Sequence, residues 1–106
     1  MIIVTTNEME DRRITRVLGL VRGNTVRARH VGRDIMASLR NLVGGEIEEY
    51  TRLLTEAREQ ATQRMVQRAE EMGANAIVGT RFMTSTIMGG ASEILAYGTA
   101  VVVEEK

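Results

Sequence analysis

The sequence predicts an α+β domain in which an antiparallel sheet packs on one long helix, in the order strand, strand, short helix, long helix, strand, strand. Two observations support this. β-branched apolar runs lie near both ends of the chain, and apolar residues recur every three or four positions between residues 46 and 72. The 106 residues are enough for one domain, which we expect to span residues 1–106.

The first part of the chain is predicted to form two strands. Residues 2–5 are a β-branched apolar run. Residues 13–21 carry apolar side chains at both odd and even positions, which would place them on both faces of a strand. The second pattern is typical of a strand that is covered on both faces. Residues 22–24 (Arg-Gly-Asn) have the composition of a turn, and residues 25–31 are expected to continue as an extended segment.

Two helices are predicted in the middle of the chain. Apolar spacing indicates a short helix over residues 34–43, which Gly44 and Gly45 end, and a long amphipathic helix over residues 46–72. Gly73 follows the last apolar position and suits the left-handed residue that commonly ends a helix. A helix of about 27 residues is about 40 Å long. It should therefore reach beyond the core of a single 100-residue subunit, whose radius of gyration is near 13 Å.

The last part of the chain is predicted to form a strand over residues 76–84 and another over residues 93–103. The second is apolar on both faces, so we expect it in the centre of the sheet. Gly19, Gly79 and Gly98 lie inside strand segments, where glycine commonly marks a bulge or a close approach of the backbone.

Composition excludes several classes of protein. The chain has no Cys and one His, which excludes disulfides, thiolate metal sites and a multi-histidine metal site within one chain. Fourteen basic and fourteen acidic residues give zero net charge, which disfavours nucleic acid as a partner. No apolar run approaches a membrane span of about 20 residues. The N-terminus lacks the features of a signal peptide, so a cytoplasmic location is expected.

The charges are divided between the two halves of the chain. Residues 1–45 hold eight arginines and four acids, whereas residues 46–106 hold six bases and ten acids. Complementary surfaces of a self-associating subunit are the interpretation we favour. With only three aromatic residues to build a core, we expect burial between subunits to add stability. A homo-oligomer is therefore predicted.

The candidate ligand or interface residues are Arg27, Arg29, His30, Arg33 and Asp34. The three arginines could bind a small anion or a nucleotide, helped by the N-terminus of a helix that begins near the aspartate. They could equally pair with the acidic half of a neighbouring subunit. The histidine could join carboxylates from another chain in a metal site. No nucleophile, base and acid combine into a catalytic set, so a binding or structural role is favoured over an enzyme.

Several phrases of the sequence together resemble one known family. They are residues 26–34 (VRARHVGRD), residues 37–41 (ASLRN) with Gly44 and Gly45, Tyr50, residues 57–59 (ARE), residues 73–79 (GANAIVG) and residues 97–101 (YGTAV). In this order they resemble the YbjQ-like proteins, some of which are labelled a candidate heavy-metal-binding domain. The match covers nearly the whole chain.

The resemblance implies a dodecin-like subunit topology and a homopentameric ring in the cytoplasm, without a particular activity or known cofactor. Relatives often carry acidic residues after the Gly-Ala-Asn-Ala phrase, whereas this chain has residues 79–83 (GTRFM) there. No metal-ligand residue can therefore be carried over from the family.

Overall fold

The computed structural model describes residues 1–27, 48–88 and 91–106. They form four strands and one helix: β1 (Ile2–Ile3), β2 (Arg12–Arg27), α1 (Glu48–Glu71), β3 (Ala76–Met88) and β4 (Ala91–Glu105). One helix packed on a four-stranded sheet confirms the α+β prediction. The short helix predicted over residues 34–43 lies outside the described residues.

The sheet has the strand order β1-β3-β4-β2 and is mixed. β4 pairs antiparallel with both β2 and β3, so it is central, as predicted. The prediction of a purely antiparallel sheet is wrong at β1, which runs parallel to the start of β3 with Ile2 opposite Ala76. The physical reason is that the N-terminal residues lie along the outer side of β3, where the Val4 amide donates to the Ile77 carbonyl at 2.9 Å.

Strand β2 corrects two further predictions. It runs through residues 22–24, where the sequence predicts a turn. Gly23 is there because α1 crosses the strand at this point: a Cβ on Gly23 would overlap the carbonyl oxygen of Ala61 and the amide nitrogen of Met65. The strand is also at the edge of the sheet and is not covered on both faces, since Val17 is 69% exposed and Leu20 is 67% exposed.

The described part of helix α1, Glu48–Glu71, lies within the range that the sequence predicts. At its end Gly73 has φ +90°. The Gly73 amide donates to the Glu70 carbonyl at 2.9 Å and the Ala74 amide donates to the Ala69 carbonyl at 3.0 Å. This is the Schellman arrangement, in which a glycine in the left-handed region lets the chain satisfy the last helical carbonyls.

The core lies between α1 and one face of the sheet. A buried stripe on the helix at four-residue spacing consists of Ala57, Ala61, Met65 and Ala69. It packs against buried side chains of the three long strands, among them Val21, Ile77 and Ile94. Three of the four helix residues are alanines, and such small side chains let the helix lie close to the strands. The geometry at Gly23 shows this close approach.

A second, smaller apolar cluster lies on the other face, at one end of the sheet. Val78, Val101 and Val103 are buried there beneath the N-terminal segment, which contributes Ile2 and Val4. Bulges interrupt the pairing next to Gly19 (φ +126°) in β2 and at Gly79 (φ +62°) in β3, as the sequence predicts. Gly98 marks a close approach instead, since a Cβ there would lie 2.7 Å from Cγ2 of Ile77. The N-terminal segment covers only this end of the face.

Candidate functional site

The structure places one of the five predicted site residues and leaves the others outside its described range. Arg27 is the last residue of β2, opposite Ser92 of β4. Arg29, His30, Arg33 and Asp34 lie outside the described residues. Anion binding at the arginines and a metal site at the histidine therefore stay predictions. The described residues show a different feature, an uncovered sheet surface that adjoins an open strand edge.

The uncovered surface is the sheet face opposite α1, toward the β3–β4 hairpin. Side chains alternate between the two faces along a strand, and Gly23 lies under the helix. The even-numbered residues of β2 from Leu20 to Val26 therefore face away from the helix. Leu20 (67% exposed), Val26 (53%) and Met83 (51%) belong to this face. Four rows of side chains cross this face, each with one residue from β2, one from β4 and one from β3. In that strand order the rows are Leu20–Thr99–Val78, Arg22–Tyr97–Arg81, Asn24–Leu95–Met83 and Val26–Glu93–Ser85.

The helix side of the sheet is also partly exposed along the second half of β3, beyond the buried Ile77. Helix α1 contacts mainly β2 and β4, so it lies off-centre on the sheet. Phe82 is opposite Ala96, which is buried on the helix side, and yet Phe82 itself is 49% exposed. Strand β3 therefore presents an aromatic side chain on one face and Met83 on the other, and each is about half exposed.

The outer edge of β3 is closed at its start and open beyond it. The N-terminal segment accepts hydrogen bonds there: the Gly79 amide donates to the Thr6 carbonyl at 2.8 Å and the Thr80 amide to the Val4 carbonyl at 3.1 Å. The Arg81 guanidinium donates to the Thr5 carbonyl at 2.9 Å. Beyond residue 81 nothing in the described part of the chain pairs with this edge.

The hydrogen-bonding parity of the sheet shows which groups of β3 point outward. The carbonyls of Arg22 and Asn24 point away from β4, because side chains of α1 bond to them at the outer edge of β2. In an antiparallel pair of strands, hydrogen-bonded and non-hydrogen-bonded residue pairs alternate. Tyr97 and Leu95 lie opposite Arg22 and Asn24, so their main-chain groups point away from β2 and bond to β3. The main-chain groups that remain on the outer edge of β3 are those of Phe82, Thr84 and Thr86.

The outer edge of β2 is closed by two arginines of the helix. Nη1 of Arg64 donates to the Asn24 carbonyl at 2.6 Å, and Nη1 of Arg68 donates to the Arg22 carbonyl at 2.8 Å. The two acceptors lie two residues apart on the strand, and Gly23 between them contacts the helix backbone. This stretch of β2 therefore cannot take up another strand while the helix is in place.

Ionic and nucleophilic groups do not form a catalytic arrangement in the described part of the chain. The ion pairs there join Arg13 to Glu104 at 3.6 Å and Arg12 to Asp11 at 3.9 Å, and both are solvent-exposed. Such surface pairs contribute little to stability. Two buried threonine hydroxyls, of Thr25 and Thr80, have no hydrogen-bond partner among these residues, so no acid or base activates them. The described geometry is that of a contact surface.

Comparison with known proteins gives one consistent result. Residues 1–104 match the model of the YbjQ_1 family, whose description is "Putative heavy-metal-binding". A UPF0145 protein of Methanosarcina acetivorans is 58% identical over 101 residues, covering 95% of each chain. A UPF0145 protein of Dehalococcoides mccartyi is 59% identical over 104 residues, covering 98% of this chain and all of the relative.

A solved structure has the same fold. It is a crystal structure from Pediococcus pentosaceus, described as a protein of unknown function in the DUF74 family. The TM-score is 0.64 at 15% identity, and the match covers 98% of both chains. At this identity the likeness is evidence for the fold alone.

The side chains available as metal ligands do not match the heavy metal that the family description names. Heavy metals favour thiolate and imidazole ligands, and this chain has no Cys and a single His, at position 30. Within the described ranges, no three or more His, Cys, Asp or Glu side chains are grouped as a metal site would require. The described residues of one chain therefore do not fit a heavy-metal centre. No described helix is long and apolar enough to cross a membrane.

The open edge of β3 was missed by sequence reasoning, because the order of strands in the sheet decides which strand lies at an edge. One signal could have indicated it. After Arg81, residues 82–88 contain no charged side chain and no proline. Edge strands of monomeric proteins usually carry such protective residues.

Proposed function

Because the chain belongs to the YbjQ family, we propose that it is the repeating subunit of a homo-oligomer that acts as a binding or structural module. The ring of five that the sequence resemblance implies is part of this proposal. Ligand binding would then take place between subunits, at sites that a single chain does not complete.

One observation carries the proposal: the described strands leave large apolar side chains exposed on one face of the sheet. Leu20 is 67% exposed, Val26 is 53% exposed and Met83 is 51% exposed. Helix α1 packs on the opposite face, and the N-terminal segment covers only one end of this one. Apolar surface of this kind is typical of a contact with another protein chain.

Sedimentation velocity on the untagged protein over a range of concentrations tests the proposal. Leu20→Glu should reduce the sedimentation coefficient by placing a charge in the contact. Gln63→Glu, at an exposed position on the outer side of α1, adds the same charge and should leave it unchanged.

Either of two results would contradict the proposal. One is a wild-type protein that sediments as a monomer at all concentrations. The other is a Leu20→Glu variant that remains folded and sediments like the wild type.

Metal binding is the second candidate function, and the family description is the observation that favours it. Since the described residues of one chain hold no suitable group, the ligands would come from several subunits and would be oxygen atoms or the imidazole of His30. Elemental analysis after exposure to divalent ions and gel filtration tests this. Stoichiometric metal that is lost when the assembly dissociates is expected. Metal-free protein would remove the candidate.

A further inference from the structure

One row of side chains on the sheet face opposite the helix combines two arginines with a tyrosine. Arg22 of β2 and Arg81 of β3 both lie opposite Tyr97 of the central strand β4. Because neighbouring strands lie about 4.8 Å apart, the Cα atoms of the two arginines are about 10 Å apart, with the tyrosine between them. Tyr97 is partly buried and both arginines are exposed. A cationic side chain therefore lies on each side of the tyrosine within one row.

The guanidinium of Arg22 has no partner in the described part of the chain. The ion pairs there belong to Arg12 and Arg13, and the helix bonds only to the main-chain carbonyl of Arg22. Among the four rows of this face the one carboxylate is that of Glu93, about 13 Å along β4 from the tyrosine. It accepts a hydrogen bond from Nδ2 of Asn24 at 3.0 Å. The charge of Arg22 is therefore available to a ligand.

Arg81 is held in place where the N-terminal segment ends on this face. Its Nη1 donates to the Thr5 carbonyl at 2.9 Å and to the Thr80 carbonyl at 2.8 Å. A guanidinium has five N–H donors, so those on Nη2 and Nε are left over. Within residues 1–27, 48–88 and 91–106 these remaining donors have no acceptor. The N-terminal segment thus fixes a positive charge beside Tyr97 and does not neutralise it.

We propose that this row binds a nucleotide, with the base stacked on Tyr97 and the phosphate groups held by Arg22 and Arg81. Aromatic side chains on an open sheet face stack well with bases. Guanidinium groups bind phosphate oxygens through paired, charge-assisted hydrogen bonds. The inference deepens the proposed function and rests on it in one respect, since a second subunit covers the outer side of the ligand.

The neighbouring side chains favour a ligand that is partly aromatic and partly anionic. Leu95 and Met83 form the β4 and β3 part of the next row, and Met83 is 51% exposed. Apolar side chains beside the tyrosine stabilise a flat ring, whereas an acidic peptide gains nothing from them. A nucleic-acid strand requires a track of basic residues. Here the two arginines share one row and Glu93 lies farther along the face, which favours a short ligand.

Isothermal titration calorimetry of the untagged protein with ADP tests the inference, with adenosine and inorganic phosphate as comparison ligands. We expect ADP to bind at least about tenfold more tightly than either, because each of them carries only one of the two groups that the row recognises. ADP that shows no binding would overturn the inference. So would inorganic phosphate, or a peptide of glutamates, that binds as tightly as ADP.

Matched variants locate the binding on this row. Tyr97→Ala should weaken ADP binding by about tenfold or more through loss of stacking, whereas Tyr97→Phe keeps the ring and should stay within about twofold of the wild type. Arg22→Gln should weaken ADP binding by about tenfold and leave adenosine binding unchanged. Arg16→Gln is the control, because it removes an exposed arginine of the same strand that lies opposite Val102, on the other face. Equal weakening by the two arginine variants would contradict the inference.

The failures of the two proposals are distinguishable when the same samples are sedimented. Oligomeric protein that does not bind ADP overturns the inference and leaves the proposed function standing. Monomeric protein that binds ADP with the stated variant pattern removes the proposed function and supports the site on this row. Monomeric protein that does not bind ADP removes both. If Tyr97→Ala does not fold, Arg22→Gln decides, since its side chain is exposed.

Discussion

Gly23 of β2 and Ala61 of α1 lie so close that a Cβ on the glycine would overlap the alanine carbonyl oxygen. Neither atom of this contact belongs to a flexible side chain, so only movement of the helix or the strand could relieve a clash. On either side of the contact, Arg64 and Arg68 bond to the carbonyls of β2. The contact therefore determines both how the helix packs and which edge of the sheet is closed.

Gly23→Ala should be strongly destabilising. Inserting a methyl group into a tightly packed site commonly costs about 1–3 kcal/mol, and a clash with backbone places this site at the upper end, about 3 kcal/mol. Urea unfolding at fixed protein concentration measures the change. A loss below about 1 kcal/mol would show that the helix can move away from the strand at little cost.

Gly73→Ala should cost less, because nothing lies within 4 Å of the added Cβ and only the backbone is strained at φ +90°. The left-handed conformation costs an L-residue about 1–2 kcal/mol. Gly73→Asn should be milder, since asparagine adopts this conformation more readily. The same urea titration compares the two. Equal losses for Ala and Asn would contradict an origin in backbone strain.

Asn75 should contribute to stability through a paired contact with the backbone of β4. Its Nδ2 donates to the Val103 carbonyl at 2.9 Å, and its Oδ1 accepts from the Val103 amide at 2.8 Å. Asn75→Ala removes both bonds and should cost about 1–2 kcal/mol, at about 1 kcal/mol for each bond.

Asn75→Asp is the matched variant, because it keeps the acceptor and loses the donor. At neutral pH its carboxylate faces a carbonyl oxygen, so a loss is expected. The deficit relative to wild type should shrink as pH falls and the carboxyl takes up a proton, because the acid O–H then replaces the amide donor. Thermal melts of both proteins at matched pH measure this. A deficit that grows in acid would contradict the assigned bonds.

Replacing Arg64 and Arg68 together by alanine should open the edge of β2. The expected result is larger assemblies or precipitation, seen as increased light scattering at equal concentration, because unprotected edges recruit strands. Arg52→Ala with Arg58→Ala is the control: it removes two exposed arginines from the same helix that do not bond to β2. Equal scattering for the two double variants would show that Arg64 and Arg68 do not protect the edge.

The local pattern of apolar residues predicted most of the described strands and the long helix. The helix follows from four-residue apolar spacing that ends at Gly73, and β4 is central because it is apolar on both faces. The strands are longer than predicted at the β3–β4 hairpin, where polar residues such as Ser85 and Glu93 are paired. Main-chain hydrogen bonds do not depend on side-chain polarity, so a pattern of apolar residues underestimates the length of such a hairpin.

The errors have one physical origin. Residues 22–24 (Arg-Gly-Asn) have the composition of a turn. In the structure, however, Gly23 contacts a helix that lies about 40 positions away in sequence. Here tertiary packing outweighs the local preference for a turn. Strand β1 joins the sheet in parallel for a similar reason, since Ile2 and Val4 cover a valine cluster. The open edge of β3 depends on strand order, which no local pattern determines.

Native mass spectrometry of the untagged protein, purified without chelator or affinity metal, tests the central claim most directly. It measures the number of subunits and any bound mass in one spectrum. The account predicts a closed homo-oligomer, with five subunits if the ring implied by the family resemblance is correct. A monomer would contradict it, because the exposed apolar side chains Leu20, Val26 and Met83 would then have no partner in a second copy.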